Sequence, residues 1–90
     1  MLELEYHKQF LKNFKSRISH DKKLNIQFKK RLSVFLDNPK NILLKDHGLA
    51  GTKLGYRSFS INGDLRVIYT YQSLTKIVLV DIGSHNQVYK

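Results

Sequence analysis

Hydrophobic residues recur at a helical spacing in the first half of the chain and at a strand-like spacing in the second half. Phe10, Phe14 and Ile18 are four residues apart. After a polar break at residues 19–21, a second helical stripe comprises Leu24, Phe28, Leu32, Phe35 and Leu36. Residues three or four apart lie on one side of a helix, so the stripes predict two helices that each bury one face. Pro39 ends the second helix, because proline disfavours a helical backbone in the residue before it.

Strand-like runs precede and follow these helices. The runs are residues 2–6, 56–61, 65–71 and 77–82. Asn62-Gly63 favours a two-residue antiparallel hairpin, since both positions of a type I′ turn need a positive φ. Residues 77–82 are nearly all apolar, as expected of a central strand buried on both faces, and residues 40–54 are expected to form a loop. The pattern predicts a single α+β domain over residues 1–90: a small, twisted, mainly antiparallel sheet with two N-terminal helices on one face.

A two-residue hairpin would also decide which side chains share a face of the sheet. Phe59 would pair with Arg66, because the strands are counted outwards from the turn. In that register Arg57 and Arg66 lie together on an open face, with Asp64 near the hairpin tip. Ser60 would then lie on the other face, the one that packs on the helices.

Composition indicates an anionic partner. The 90 residues include 16 Lys plus Arg and 7 Asp plus Glu, a formal net charge of +9. So strong a positive field favours RNA, DNA or an acidic protein; the alternative is a surface that only maintains solubility. The absence of cysteine excludes disulfides and thiol catalysis. We see no signal peptide and no membrane-length apolar run, so we expect a cytoplasmic protein with no membrane partner.

Two histidines stand where a small fold can hold a reactive group. His47 follows Asp46 in the predicted loop, and His85 follows the long apolar run. An imidazole titrates near neutral pH, so either histidine can accept or donate a proton. Alternatively, His47 is a solvated loop residue and His85 a surface residue near the C-terminus. No histidine pair has the spacing of a zinc site, so we predict no metal.

Two arginines, an aspartate and a tyrosine complete the candidate set. Arg57 and Arg66 lie inside predicted strands, where a guanidinium either binds phosphate or forms a cross-strand ion pair with Asp64. Asp64 either orients a histidine and shares in proton transfer, or is an ordinary turn residue. Tyr89 either stacks on a base or is a half-buried sheet residue.

The order of these residues resembles that of the RelE-superfamily toxins, and within them the YafQ-like branch. The motifs are Asp46-His47-x-Leu49-x-Gly51, Gly55-Tyr56-Arg57, Asp64 before Val67-Ile68-Tyr69, and Gly83-Ser84-His85 with an aromatic residue four positions later. The resemblance covers most of the chain, but its specific residues all follow Lys45. Ser60 and Leu65 depart from the pattern, which has histidine and tryptophan at these places.

The resemblance implies the toxin of a type II toxin–antitoxin system, a metal-independent endoribonuclease that cuts messenger RNA on the ribosome without a cofactor. The residues that match catalytic positions of the YafQ-like group are His47, Asp64 and His85. Arg66 resembles the superfamily arginine that contacts the scissile phosphate, and Arg57 takes the place of an active-site lysine. Tyr89 matches a late aromatic residue that helps to position the substrate. The implied partners are a cognate antitoxin, the ribosome with its messenger RNA, and operator DNA through the antitoxin complex alone.

Three other functions remain open from the sequence. A RelE-fold protein can be a non-catalytic binder, or it can be a toxin that poisons gyrase. A plain RNA-binding module is the third. The Gly83-Ser84-His85 segment and the two arginines favour RNA cleavage over all three.

Overall fold

A computed structural model describes residues 2–89, which form a five-stranded mixed sheet with three α-helices. The strands are Glu3–Tyr6 (β1), His47–Gly48 (β2), Arg57–Ser60 (β3), Leu65–Tyr71 (β4) and Lys76–Ser84 (β5). The helices are Lys8–Arg17 (α1), Lys22–Asp37 (α2) and His85–Val88 (α3), with short 3₁₀ turns at Ile42–Leu44 and Gly51–Lys53. The strand order is β1-β5-β4-β3-β2, in which β1 runs parallel to β5 and the other pairs are antiparallel. The predicted α+β fold with two N-terminal helices is confirmed.

Both long helices begin at a side chain that satisfies a free backbone amide. His7 Nδ1 accepts a hydrogen bond from the Gln9 amide at 3.0 Å, and the Asp21 carboxylate accepts one from Leu24 at 3.1 Å. Such caps stabilise a helix by about 1 kcal/mol. α2 ends two residues before Pro39, as predicted. His7 is exposed and caps α1.

The core lies between the long helices and one face of the sheet. The Phe35 ring of α2 stacks on Phe59 with centroids 4.5 Å apart and meets Tyr69 edge-on at 4.9 Å. α1 adds Phe10, and the residue that caps its C-terminus is Ile18; both are almost fully buried. Burying such a side chain contributes about 1.5–3 kcal/mol, so this face is strongly specified.

The predicted register of the β3–β4 hairpin is wrong by one residue. Phe59 pairs with Val67, and Ser60 pairs with Arg66. Neither residue of Asn62-Gly63 has a positive φ, so a type I′ turn does not form. Residues 61–64 make a longer connection. In it, Asn62 Oδ1 accepts hydrogen bonds from the backbone amides of Asp64 and Leu65, at 2.9 and 2.8 Å.

The shift in register reverses which β3 side chains face the core. Because successive strand residues point to opposite faces, a slip of one residue moves every side chain across the sheet. Phe59 now faces the helices, while Ser58 and Ser60 face away from them, on the same side as Arg66. We call this second side the outer face; it carries Ser58, Ser60, Arg66 and Ile68. Ser60 was expected on the helix side, and that expectation is wrong.

Two further expectations need correction. The segment predicted as a loop contains β2, which adds a fifth strand at the edge of the sheet. β5 is an internal strand, yet its first half is buried on one face only: Ile77 and Leu79 are buried, whereas Val78 and Val80 are half-buried. Among the described helices, none has the length and apolar character needed to cross a membrane.

Candidate active site

α3 follows β5 directly and holds two candidate residues at the end of the sheet. Ser84 is its N-cap and forms a reciprocal capping box with Gln87: the Ser84 Oγ accepts from the Gln87 amide, and Gln87 Oε1 accepts from the Ser84 amide at 2.8 Å. His85 is the first residue of the helix, and its carbonyl accepts the amide hydrogen of Tyr89 at 3.1 Å. The Ser84-x-x-Gln87 spacing is typical of a helix N-terminus, and it could have predicted this helix, which the sequence patterns above did not include.

His85 and Asp64 are neighbours where β4 and β5 meet the hairpin connection. The His85 amide donates to the Asp64 carbonyl at 3.1 Å and lies 3.4 Å from one of its carboxylate oxygens. Both residues are exposed. An imidazole and a carboxylate are therefore available to solvent at one end of the sheet.

Tyr89 joins His85 to β3. Its ring meets the His85 imidazole edge-on, with centroids 4.5 Å apart, and its hydroxyl is hydrogen-bonded to Ser58 Oγ at 2.5 Å. Ser58 is buried in β3 and pairs with His47 of the neighbouring strand β2. Paired residues point to the same side of a sheet, so His47 lies on the outer face beside Ser58. His47 is exposed, with Nδ1 3.1 Å from the Lys45 carbonyl.

Arg66 lies on the outer face and is held by neutral acceptors. Its guanidinium donates to the carbonyls of Asn62, Gly63 and Leu65 and to the Ser60 hydroxyl, at 3.0–3.3 Å. No carboxylate within residues 2–89 forms an ion pair with it. Its charge is thus positioned and remains available to an incoming anion.

Arg57 lies on the opposite side of the sheet from Arg66, so the expectation that the two arginines lie together is wrong. Arg57 pairs with Tyr69 on the core side, and its guanidinium forms an ion pair with Asp46 at 2.6 Å. The expected ionic alternative was Asp64; the observed partner is Asp46. The Tyr69 hydroxyl donates to the second oxygen of the same carboxylate.

The pKa values of Arg57 and Tyr69 are both raised in this cluster. The hydrogen bond to Asp46 raises the pKa of Arg57 above its usual value. Burial first, and then the hydrogen bond to Asp46, raise the pKa of Tyr69 well above its ordinary range. Asp46 therefore stabilises the protonated forms of Arg57 and Tyr69 on the core side of the sheet. It faces away from the residues around His85.

A second buried carboxylate anchors α1 to β5. Asp81 accepts hydrogen bonds from Asn13 Nδ2 at 2.7 Å and from the Ile82 amide at 2.8 Å. Arg17 lies 3.5 Å from the same oxygen and donates to the Ile82 carbonyl at 3.0 Å. In the sequence Asp81 is one polar residue in an apolar run, and only its neighbours reveal its role.

The outer face thus combines groups suited to acid–base chemistry on a charged ester. Five of the six candidate residues lie there: His47, Asp64, Arg66, His85 and Tyr89. Two imidazoles and a carboxylate can move protons, and a guanidinium can stabilise negative charge. Within residues 2–89, no three His, Asp or Glu side chains are grouped so that they could hold a metal ion.

The same fold occurs in solved bacterial toxins. YafQ from E. coli is 24% identical with a TM-score of 0.81, and each chain is covered over 100% of its length. YafQ in the E. coli DinJ-YafQ complex is 24% identical with a TM-score of 0.79 and the same coverage. A metal-bound toxin from Helicobacter pylori is 27% identical with a TM-score of 0.74, over 98% of this chain and 99% of that one. No curated protein sequence matches the chain.

The family model and the fold together place the chain among the toxins of the RelE superfamily. The family is narrower than that. Residues 2–90 match the bacterial toxin of type II toxin-antitoxin system, YafQ, and the chain belongs to this family. The resemblance inferred from the motifs is confirmed.

Proposed function

We propose that this toxin is a metal-independent endoribonuclease that cuts messenger RNA on the ribosome. The observation that carries the proposal is the contiguity of the outer face. Asp64 contacts the backbone amide of His85, the His85 ring contacts Tyr89, Tyr89 contacts Ser58, and Ser58 pairs with His47. General acid and base groups must act together on a single phosphodiester, and residues in such a series can reach one.

The substrate supplies its own nucleophile in this mechanism. The 2′-oxygen of the ribose attacks the adjacent phosphorus and gives its proton to His47 or Asp64. The bond from phosphorus to the 5′-oxygen breaks as His85 protonates the departing oxygen. The products are a 2′,3′-cyclic phosphate and a 5′-hydroxyl. Each proton transfer contributes about 10²- to 10⁴-fold.

Two other residues support this step. Arg66 stabilises the additional negative charge on the phosphoryl oxygens in the transition state. Tyr89 packs against the His85 ring and positions it relative to the substrate. Arg57 has no direct part in the mechanism proposed, because its guanidinium is paired with Asp46 on the core side.

The toxin is proposed to have a cognate antitoxin and to act in the cytoplasm. Two facts support an acidic antitoxin that wraps the toxin: the net charge of +9, and the complex of the E. coli relative YafQ with DinJ. Complementary charge favours and orients such an association. Operator DNA is bound through the antitoxin in the complex.

Cleavage in cells tests the function. The wild type, His85→Ala and His20→Ala are induced in bacteria, and primer extension maps cuts in an abundant message. His20 is an exposed residue between the long helices and serves as the matched control. We expect codon-phased cuts from the wild type and His20→Ala, and a loss of about 100-fold or more in His85→Ala. Growth arrest by both His85 forms without cuts would instead indicate a binder or a gyrase poison.

Metal removal is a separate test, because one structural relative was solved with metal bound. Purified toxin is dialysed against a chelator, freed of it, and returned to ribosomes in their usual magnesium buffer. The stripped toxin should cut as fast as untreated toxin. Activity that disappears and returns only after a transition metal is added would overturn metal independence.

A further inference from the structure

Two adjoining cavities continue away from the candidate active site across the outer face, and a third follows α1. The first, of about 210 Å³, is lined by Tyr89 and by Leu49, Ala50, Thr52 and Lys53. The second, of about 150 Å³, shares Thr52 and Lys53 and extends over Tyr56, Ile68 and Asp81 to Gln9. The third, of about 470 Å³, shares Gln9 and follows α1 to Arg17. We call these three cavities together the basic trough.

Cations dominate the walls of the trough. Lys53 lies in its middle, and Lys8, Lys12 and Arg17 line the part along α1. Among the described lining residues the one carboxylate is Asp81, which is buried and already bonded to Asn13 and Arg17. The exposed charge of the trough is therefore positive, as required by the phosphate backbone of a nucleic acid.

Two half-buried tyrosines interrupt this series of cations. Tyr89 lies at the end nearest His85, and Tyr56 lies beside Lys53. Grooves that bind single-stranded nucleic acid combine a positive track for the backbone with aromatic rings on which bases stack. An acidic peptide would be served by the cations alone, so the tyrosines favour RNA as the occupant.

The loop that carries Lys53 is anchored to the sheet. Its chain reversal uses positive φ at Gly51 and Gly55, conformations that glycine adopts without strain. The Gly55 carbonyl accepts a hydrogen bond from the Thr70 hydroxyl at 3.0 Å, and the Tyr56 amide donates to the Lys53 carbonyl at 3.1 Å. Lys53 thus projects from a defined turn at a constant place between the site and α1.

We propose that the basic trough binds the RNA strand on one side of the scissile phosphate, with Lys53 and Lys12 each neutralising a backbone phosphate. The inference rests on the proposed ribonuclease function and adds a path for the substrate. It makes Lys53 and Lys12 substrate-binding residues with no part in the chemical step. RNA that extends along the trough therefore binds more tightly than RNA that occupies the cleavage position alone.

The test uses RNA that cannot be cut, because every 2′-hydroxyl is methylated. Fluorescence anisotropy measures the binding of a trinucleotide and a nonanucleotide to the wild type, Lys53→Gln, Lys12→Gln and Lys30→Gln. Lys30 is exposed on α2, away from the trough, and is the matched control. Each trough variant should bind the nonanucleotide about fivefold more weakly and lower the salt dependence by about one phosphate contact. Trinucleotide affinity and Lys30→Gln should match the wild type.

Several outcomes would overturn the trough: no binding of RNA by the wild type, equal affinity for both lengths, or equal losses in Lys30→Gln and Lys53→Gln. The primer-extension experiment separates this from the function itself. Cuts by the wild type together with unchanged binding by the trough variants would refute the trough alone. Absence of cuts together with length-dependent binding that requires Lys53 would refute the nuclease and leave an RNA-binding trough.

Discussion

Asp46 and His47 are adjacent in the sequence, yet their side chains serve opposite sides of the sheet. Consecutive residues of an extended backbone point in opposite directions. Asp46 accordingly reaches Arg57 and Tyr69 on the core side, while His47 shares the outer face with Ser58. The first of the two residues supports the scaffold, and the second is a candidate for catalysis.

Removal of the Asp46 carboxylate should destabilise the protein. In Asp46→Ala the Tyr69 hydroxyl loses its acceptor in a buried place, whereas Arg57 has a side chain 42% exposed and can remain hydrated. We expect the free energy of unfolding to fall by about 1–3 kcal/mol, measured by urea denaturation. Asp37→Ala, at an exposed residue of α2, is the control and should change little. Equal stability of the two variants would mean that the cluster contributes nothing.

Tyr69 should also make stability depend on pH in the alkaline range. Its pKa is raised in the folded state, whereas a tyrosine in the unfolded chain titrates near pH 10. Its contribution is therefore fully present below about pH 10 and declines as the pH rises further, because the unfolded state loses its proton first. Urea denaturation from about pH 8 to about pH 11 should show a smaller decline in Tyr69→Phe than in the wild type. Tyr6→Phe, at an exposed tyrosine, should behave as the wild type does.

Of the three α-helices described, α3 is the shortest, yet it positions two of the candidate residues. It has four residues, and its capping box takes the place of the hydrogen bonds that a longer helix would make internally. The helix follows β5 directly and places the His85 amide next to Asp64. One turn later it brings the Tyr89 hydroxyl to Ser58. The position of the imidazole thus depends on Ser84 and Gln87 as much as on the sheet.

Ser84→Ala should fray α3. Loss of the cap costs about 1 kcal/mol, and the amide of Gln87 should exchange faster with solvent because its acceptor is gone. RNA cleavage should fall with it while the rest of the fold persists. Hydrogen exchange and denaturation measure the effect, and Ser33→Ala on the exposed side of α2 is the control. Unchanged exchange at Gln87 would argue against the cap.

A side chain at Gly83 should disturb the packing around the end of β5. A Cβ there would lie 2.7 Å from both Arg17 Nη1 and Gln87 Oε1, so both side chains would have to move and weaken their hydrogen bonds to the Ile82 carbonyl and the Ser84 amide. We expect Gly83→Ala to lower the free energy of unfolding by about 1–3 kcal/mol. Gly63→Ala is the matched control, because a Cβ at that position meets no atom within 4 Å. A denaturation midpoint for Gly83→Ala equal to that of the control would contradict this packing.

At the scale of the whole molecule, the sheet separates stability from function. The long helices pack on its core side, where Phe35 of α2 contacts Phe59 and Tyr69, and its outer face carries the candidate catalytic residues and part of the basic trough. The net charge of +9 gives the molecule a positive field that attracts anions from solution.

This charge predicts how an antitoxin associates. The association rate constant of an acidic cognate antitoxin should fall steeply as salt rises, because screening weakens long-range steering, while the dissociation rate constant changes less. Stopped-flow fluorescence at increasing salt measures both constants. An uncharged osmolyte at matched osmolality is the control. Association that does not respond to salt would show that complementary charge does not guide the encounter.

The sequence alone was sufficient for the elements and for the family. Helical and strand-like periods identified both long helices and most of the strands, because each period reflects a local geometry of the backbone. The motifs after Lys45 identified the RelE superfamily and its YafQ branch, and both are confirmed. The sequence also showed which side chains can transfer a proton or bind a phosphate, because these properties belong to histidine and arginine in any fold.

Only the tertiary structure decided which of those residues share a surface. Asn62-Gly63 predicted a hairpin correctly but a register that is wrong by one residue, which placed Arg57 beside Arg66 and turned Ser60 towards the helices. Local turn preference was overruled because burying Phe59 against Phe35 stabilises the observed pairing. The contact of Tyr89 with Ser58 joins residues 31 positions apart, and no local pattern specifies it. The face of the sheet on which a side chain lies depends on long-range packing. For that reason, only the fold showed which candidate residues lie together.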